Sequence, residues 1–512
     1  MNNNSRTKNV LKNMLVGTSF QVISLIMGFI SRTIFIKILS AEYLGINSLF
    51  TNILTILSFA ELGIGNAIVF NLYKPLAKKD EKKINLLLNF YKKTYFLIGM
   101  IILILGLILV PFIPNLISEM PDIKENIYLI YVLFLLDTVT SYFFTYRTSI
   151  ITADQKNYIV IRTVQIFKIV QIIVQMIVLY FTHNYYLYLI LQLLNTTITF
   201  TYLSYKSKKM YPYTKKLGKD TITKKEKKEI FSNVKALFIS KFSSVILNGT
   251  DSIIVSKYIS LFALGLYSNY LLIISAITQI LGQLLNSFTA SIGNLNTEEV
   301  SDKKIKIFNL LYYFTIFVFG VIGISLYILL NDFVTIWLGK EYLLSNLTIA
   351  AVILHFYVNG VQFASFTYRQ TAGLFREYRY FPILSALLNI VLSIVLAKVI
   401  GLPGVFFATS IARLSTAGWI DPIIVYKKVF NKSSKKYFIK YLYYITIVLV
   451  SLGITYYLTN FIVVDNILMF ILKGFITVVV STLSISLFTF KTEEFKEIVR
   501  LIKSFCLKLL KK

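Results

Sequence analysis

Charges set inside apolar runs are the side chains here with the most chemical potential. Cations set well inside such runs include Arg32, Lys37, Arg147, Lys168, Lys241, Lys257, Arg369, Lys398, Arg413 and Lys473. They face chiefly four acids, Glu61, Asp137, Asp251 and Asp421. An ionisable group at hydrocarbon depth is costly and faces a partner or water. Lys37, Lys257, Lys398 and Lys473 stand near the ends of their runs, where a long stem carries the ammonium to the interface. Arg32, Arg147, Lys241, Arg369 and Arg413 stand out by lying on polar stripes or in polar contexts such as TYR, TYRQTAG and SIARLST. A cavity with surplus positive charge favours an anionic passenger, and a guanidinium meets phosphate oxygens with two parallel hydrogen bonds. Glu61 has two readings. It either neutralises Arg32 or another buried cation, or it is a protonatable or cation-binding switch, since burial raises a carboxyl pKa and a nearby arginine lowers it. Asp137 and Asp251 share that ambiguity.

Other chemistries lack the residues they need. The one cysteine, Cys506, excludes disulfides within the chain and thiolate metal clusters, and the only histidines are His183 and His355. His355 reads as a core residue rather than a proton relay, and His183 sits by an outer loop. Gly63-x-Gly65 is no dinucleotide loop, because it lies in an apolar span and follows no strand. The sequence therefore points away from an enzyme, with no metal site and no bound cofactor expected.

The elements that must position these charges are membrane helices. Of 512 residues, 56% are hydrophobic, the mean hydropathy is +0.69, and each crossing takes about 20 apolar residues in a helix. Apolar windows give fourteen spans: 14–38, 44–72, 94–117, 126–151, 159–181, 185–205, 236–258, 262–292, 307–330, 343–370, 381–400, 403–425, 440–461 and 466–489. The first is too long for a signal h-region and lacks a small-x-small cleavage site, so it reads as a retained helix. Of 53 Lys and Arg residues, 39 fall in the termini and in loops after even-numbered spans. Two, Lys124 and Lys340, fall in loops after odd-numbered ones. That asymmetry puts both termini in the cytoplasm. It also assigns the net charge of +29 to one membrane face rather than to nucleic acid.

The basic stretch YKSKKMYPYTKKLGKDTITKKEKKE, 205–229, divides six spans from eight. The expected organisation is a six-helix lobe (1–205), a basic cytoplasmic linker (206–235), a second six-helix lobe (236–426), an extra helix pair (427–490) and a basic tail (491–512). The lobes resemble each other. RTIFIKILSAEYLGINSLFTNIL from Arg32 and DSIIVSKYISLFALGLYSNYLLI from Asp251 carry Leu-Gly pairs at 44–45 and 264–265, at nearly the same offset. Six helices per unit suggest parallel repeats, and repeated transporters place substrate at the repeat interface. Polar stripes mark the first two helices of each repeat. Span 1 aligns Thr18, Gln21, Ser24, Gly28 and Arg32; span 2 aligns Asn47, Thr51, Thr55, Ser58, Glu61 and Gly65. Span 7 aligns Lys241, Ser244, Asn248 and Ser252, and span 8 aligns Ser268, Ser275, Gln279, Gln283 and Asn286. One stripe alone reads as close helix packing; four on equivalent helices favour a shared hydrated cavity.

Residues 39–95, LSAEYLGINSLFTNILTILSFAELGIGNAIVFNLYKPLAKKDEKKINLLLNFYKKTY, carry a resemblance. A Y-L-G turn leads to L-F-T-N-I-L-x-x-L-S, then A-E-L-G-I-G and a Y-K-P-L-A border. This resembles the second-helix region of Wzx-type polysaccharide flippases in the multidrug/oligosaccharidyl-lipid/polysaccharide (MOP) exporter superfamily. The resemblance implies an all-α polytopic membrane protein with about 14 transmembrane helices. Two six-helix lobes would surround a central cavity lined by spans 1, 2, 7 and 8, with a C-terminal helix pair. It implies a flippase of the bacterial plasma membrane that turns an undecaprenyl-diphosphate-linked oligosaccharide from the cytoplasmic to the outer leaflet, for capsule, O-antigen or other surface polysaccharide. Under it, Arg32 and Lys241 grip the diphosphate while Arg147, Arg369 and Arg413 contribute field. Asn47, Asn248, Gln279 and Gln283 suit sugar hydroxyls, and Glu61, Asp251 or Asp137 balance charge or couple to H+ or Na+. Membrane lipids, and a polymerase and glycosyltransferases of the same pathway, are the expected partners. By analogy with lipid-linked peptidoglycan precursor flippases, spans 13 and 14 would offer a groove for the polyprenyl tail. The alternative is a MOP exporter of a drug or of another lipid-linked precursor. A cation extruder, however, would concentrate acids in its cavity, and a polymerase or glycosyltransferase would carry a large outer loop absent from these spans.

Overall fold

The computed structural model describes residues 20, 23–61, 64–215, 222–228, 230, 249–297 and 301–510. Among them every regular element is helical, as backbone amides in lipid require. The chain forms two compact units, Met1–Gly265 and Leu266–Lys512. The division falls within a helix that starts at Leu261, so the basic linker 206–235 lies wholly inside the first unit.

In the first unit α1 covers 23–38. It is followed by α2 (Ala41–Leu57), α3 (Ile64–Lys78), α4 (Glu81–Leu109), α5 (Ile127–Ala153), α6 (Asn157–Thr182), α7 (Tyr185–Met210) and α8, described over 249–258. Helix α9 (Leu261–Thr297) leads into α10 (Ser301–Trp337), α11 (Asn346–Val361), α12 (Phe363–Thr371) and α13 (Phe375–Tyr378). Then come α14 (Phe381–Ile400), α15 (Leu402–Ser415), α16 (Ala417–Lys428), α17 (Lys435–Thr459), α18 (Ile467–Thr489) and α19 (Glu493–Leu510). Asn126, Asn184, Ser345 and Asn466 cap α5, α7, α11 and α18 by accepting from backbone N–H groups of the first turn. His183 closes α6 at φ 51°, a left-handed cap, which accounts for a histidine at that turn.

Some spans that read as continuous are broken. Span 2 passes through a 3-10 turn at Ser58–Glu61, span 10 breaks at Gln362 and span 12 at Thr416. Two residues past the last break, the Gly418 carbonyl lacks its helical donor, because Pro422 has no N–H. The tail, read as a basic extension, is helical as α19.

At the α17–α18 seam small polar residues are buried and large apolar ones face outward. Where α17 packs on α18, Ser451, Thr455, Thr477, Ser481 and Ser484 are buried, and Ser484 Oγ donates to Ser451 Oγ at 2.9 Å. Leu449, Tyr457, Leu468, Phe475 and Leu487 face outward. Small hydroxyl residues let helices approach closely where lipid supplies no hydrophobic drive.

The two Leu-Gly pairs that suggested a repeat are halves of one contact. A Cβ on Gly45 would lie 2.0 Å from the Leu261 carbonyl oxygen, and one on Gly265 would lie 1.9 Å from that of Ala41. Each glycine thus meets the residue four before the other. Only Gly permits backbones this close. Beside it, Asn52 Nδ2 donates to Ser252 Oγ at 3.0 Å, tying α2 to α8.

Candidate functional site

The 3-10 turn that ends α2 delivers Glu61 to α4 and α5. There its carboxylate lies beside the hydroxyls of Tyr95 and Tyr142, and Tyr142 also lies near Ser58. Gly65, one turn further, keeps this pocket open: a Cβ would lie 3.2 Å from Tyr95 Oη and 3.6 Å from Glu61 Oε1. Among the described residues Glu61 forms no ion pair with Arg32, which lies beside Tyr188 on α7. The groups placed beside the carboxylate are two phenols.

From Tyr188 a polar network runs through the interior of the first unit. Gln175 Nε2 donates to the Tyr188 carbonyl at 2.8 Å, and Gln171 Nε2 to Gln175 Oε1 at 3.1 Å. Gln171 Oε1 accepts from Asn195 Nδ2 at 2.9 Å and from Lys168 Nζ at 3.4 Å. Lys168 interacts in turn with Asp137, whose Oδ2 accepts from Gln192 Nε2 at 2.8 Å. The other Asp137 oxygen is buried without a hydrogen bond. On α1, Ser24 Oγ donates to Gln165 Oε1 at 2.6 Å. Half-buried Arg32, beside Tyr188, and Lys168, near Asp137, are thus two cations carried by helices of the first unit. In low dielectric a cation attracts an anion strongly. Sequence reasoning had singled out Arg32 and Asp137 but passed over the glutamines. Their signal was legible: Gln165, Lys168, Gln171 and Gln175 are spaced three, three and four apart, one face of α6.

Arg147 is set apart from this network. It is buried with Nη1 on the Thr214 carbonyl at 2.8 Å and on Thr214 Oγ1 at 3.2 Å, and Nε on Tyr146 Oη at 3.1 Å. It pins the 211–214 turn to α5. Asn47 on α2 and Asp251 on α8 are half-buried. Lys241 and Asn248 lie outside the described residues.

In the second unit the polar groups gather where two helices break. Arg369 Nε stands 2.7 Å from Asp421 Oδ1, with both side chains almost fully buried. The Tyr378 ring covers the guanidinium at 3.8 Å and Phe366 flanks it at 5.5 Å. Arg413 Nη1 donates to Asn359 Oδ1 at 2.6 Å, close to His355 and Tyr378. At the breaks themselves, a Cβ on Gly418 would lie 3.3 Å from Gln362 Nε2. Breaking such a buried pair by removing one partner costs about 3–5 kcal/mol. Arg369 is thus committed to joining α12 to α16, whereas half-buried Arg413, beside the exposed Asn359, has access to the surface. Gln279 and Gln283 are exposed on α9. No cluster of His, Cys, Asp and Glu suited to a metal ion occurs among the described residues.

The family model described as "Polysaccharide biosynthesis protein" matches residues 10–292. Among solved structures, the chain is similar to "Lipid II flippase MurJ, inward closed conformation", with a TM-score of 0.62 and 20% identity. That match covers 93% of this chain and 99% of the other. An inward-facing multidrug resistance MATE family transporter of the MOP superfamily matches with a TM-score of 0.58 and 13% identity, covering 79% and 95%. No curated protein matches. At these identities the likeness is one of fold, shared with a flippase and a transporter. The chain, all-α and MOP-like in fold, belongs to the polysaccharide biosynthesis protein family.

Proposed function

We propose that this chain is a Wzx-type flippase that moves an undecaprenyl-diphosphate-linked oligosaccharide from the cytoplasmic to the outer leaflet by alternating access. It would work in a bacterial plasma membrane with both termini cytoplasmic. The observation that carries the reading is the pair of cations within apolar spans of the first unit, Arg32 beside Tyr188 and Lys168 near Asp137. A diphosphate needs cations at hydrocarbon depth, and a cation-extruding exporter needs the opposite balance. Family membership in polysaccharide biosynthesis supports the glycan.

In this mechanism Arg32 meets phosphate oxygens in the bidentate manner of a guanidinium, with Lys168 and Lys241 adding point charges. Arg147 and Arg369, already engaged, contribute field, and Arg413 adds a more accessible guanidinium. Asn47, Asn248, Gln279 and Gln283 offer amides to sugar hydroxyls. The polyprenyl tail stays in the bilayer, along apolar faces such as those of α17 and α18. Glu61, in its tyrosine pocket, and Asp137 and Asp251 are the groups for H+ or Na+ coupling or charge balance. A polymerase and glycosyltransferases of the same pathway would act after and before it.

The test is made in cells that depend on this gene for surface glycan. An R32E variant that accumulates normally should block export while the lipid-linked unit builds up on the cytoplasmic side. Unimpaired export would remove Arg32 from the proposed grip. Extrusion of cationic dyes with unchanged glycan export would favour the drug-exporter alternative.

A further inference from the structure

Three residues separate the last helix, α19, from the end of α18 at Thr489, so it begins at the membrane border. Its first turns are tied down. Thr492 Oγ1 accepts from the Phe495 N–H, Glu494 pairs with Lys440, and Glu497 pairs with Lys306 at 3.1 Å. Beyond Glu497 the chemistry changes: every charged residue is basic, namely Arg500, Lys503, Lys508, Lys511 and Lys512. Leu501 and Ile502 are each 56% exposed, between the exposed Arg500 and Lys503. In sequence, Phe495, Ile498, Ile502, Phe505 and Leu509 repeat at three- and four-residue steps, the spacing of one apolar helix face. An apolar face flanked by lysine and arginine, leaving the membrane border at its start, has the form of a helix lying in the bilayer interface.

We propose that α19 is an interfacial anchor that docks on the anionic phospholipid surface of the membrane its own chain spans. Leu501 and Ile502 enter the acyl boundary, while Arg500 and Lys503 meet lipid phosphates. The acidic first turns act as a hinge end, held by Lys440 and Lys306, from which the basic part swings onto the bilayer. Charge decides the occupant, because a neutral surface offers these cations nothing beyond water, whereas an anionic leaflet attracts juxtamembrane basic segments until salt screens them.

The single cysteine, Cys506, supplies the probe position. The full chain, labelled there with a polarity-sensitive fluorophore, is reconstituted in vesicles of phosphatidylcholine alone or with phosphatidylglycerol. The expected result is a blue-shifted, brighter emission in the phosphatidylglycerol vesicles that high salt reverses, with quenching by doxyl-labelled lipid. An L501Q/I502Q variant should lose the shift while keeping the thermal unfolding of the unaltered chain. Should that variant fail to fold, the salt reversal and lipid quenching on the unaltered sequence still decide the matter. Equal emission in both vesicle types overturns the proposal. So does shielding that persists in detergent and grows with protein concentration, which would make a second copy the partner.

Discussion

Arg32 and Lys168 carry the same formal charge and different chemistry. A charge-assisted hydrogen bond contributes about 1.5–3 kcal/mol, so losing the Arg32 fork should slow translocation roughly 10- to 100-fold. R32K, keeping charge without the planar fork, should fall between R32E and the unaltered chain in a translocation assay. The Arg369–Asp421 pair calls for a different measurement. D421A should lower stability in detergent by about 3–5 kcal/mol by leaving a buried guanidinium unpaired, read out by thermal unfolding, whereas replacing both partners with apolar residues of similar volume should cost far less. Glu61 shows where reading by residue type ran out. Its burial among apolar neighbours was visible, but the groups placed beside it, Tyr95 and Tyr142, come from α4 and α5. Nothing in the linear pattern of span 2 announces them. The prediction that separates its roles is E61Q: a coupling residue loses the dependence of transport on pH or sodium, and a packing residue keeps it.

Each of the fourteen spans has helical counterparts among the described residues because hydrophobic length is a strong one-dimensional signal. The breaks at Ser58–Glu61, Gln362 and Thr416 were not legible, since hydropathy averaged over a window passes straight through a local loss of helix geometry. The pairing of Gly45 with Gly265 was half legible: the repeat offset was there, and the contact was not. Because the clashing atoms are backbone carbonyl oxygens, no rotamer change can relieve a methyl group at either site. G45A or G265A should destabilise the α2–α9 crossing by about 1–3 kcal/mol, measurable as a lowered unfolding temperature. A further prediction concerns the basic linker. The Lys83 ammonium, hydrogen-bonded to Glu226, holds that carboxyl below the ordinary glutamate range. Its contribution is complete above that range and disappears as pH falls through the lowered value. A spin label on 222–228 should therefore stay equally immobile from neutral pH down to the ordinary glutamate range and loosen only below it, while E226Q should loosen it at neutral pH.

For the whole molecule, composition and charge alternation already implied a polytopic membrane protein, and the family and fold agree. Hydrogen-bonded side-chain networks were harder to foresee, because they depend on how helices rotate about their axes. The stripe on α6 was readable, yet its links to Asp137 and Asn195 required the packing of three helices. In the proposed function the chain moves a lipid-linked diphosphate across the bilayer. Purified protein, reconstituted in vesicles with a fluorescent undecaprenyl-diphosphate oligosaccharide, allows this to be timed by the loss of lectin or reductant access from one face. The account predicts translocation that depends on the protein, is slowed at least tenfold in R32E, and is absent for a polyprenyl oligosaccharide lacking the diphosphate. Equal rates with and without the protein, or with and without the diphosphate, would contradict it.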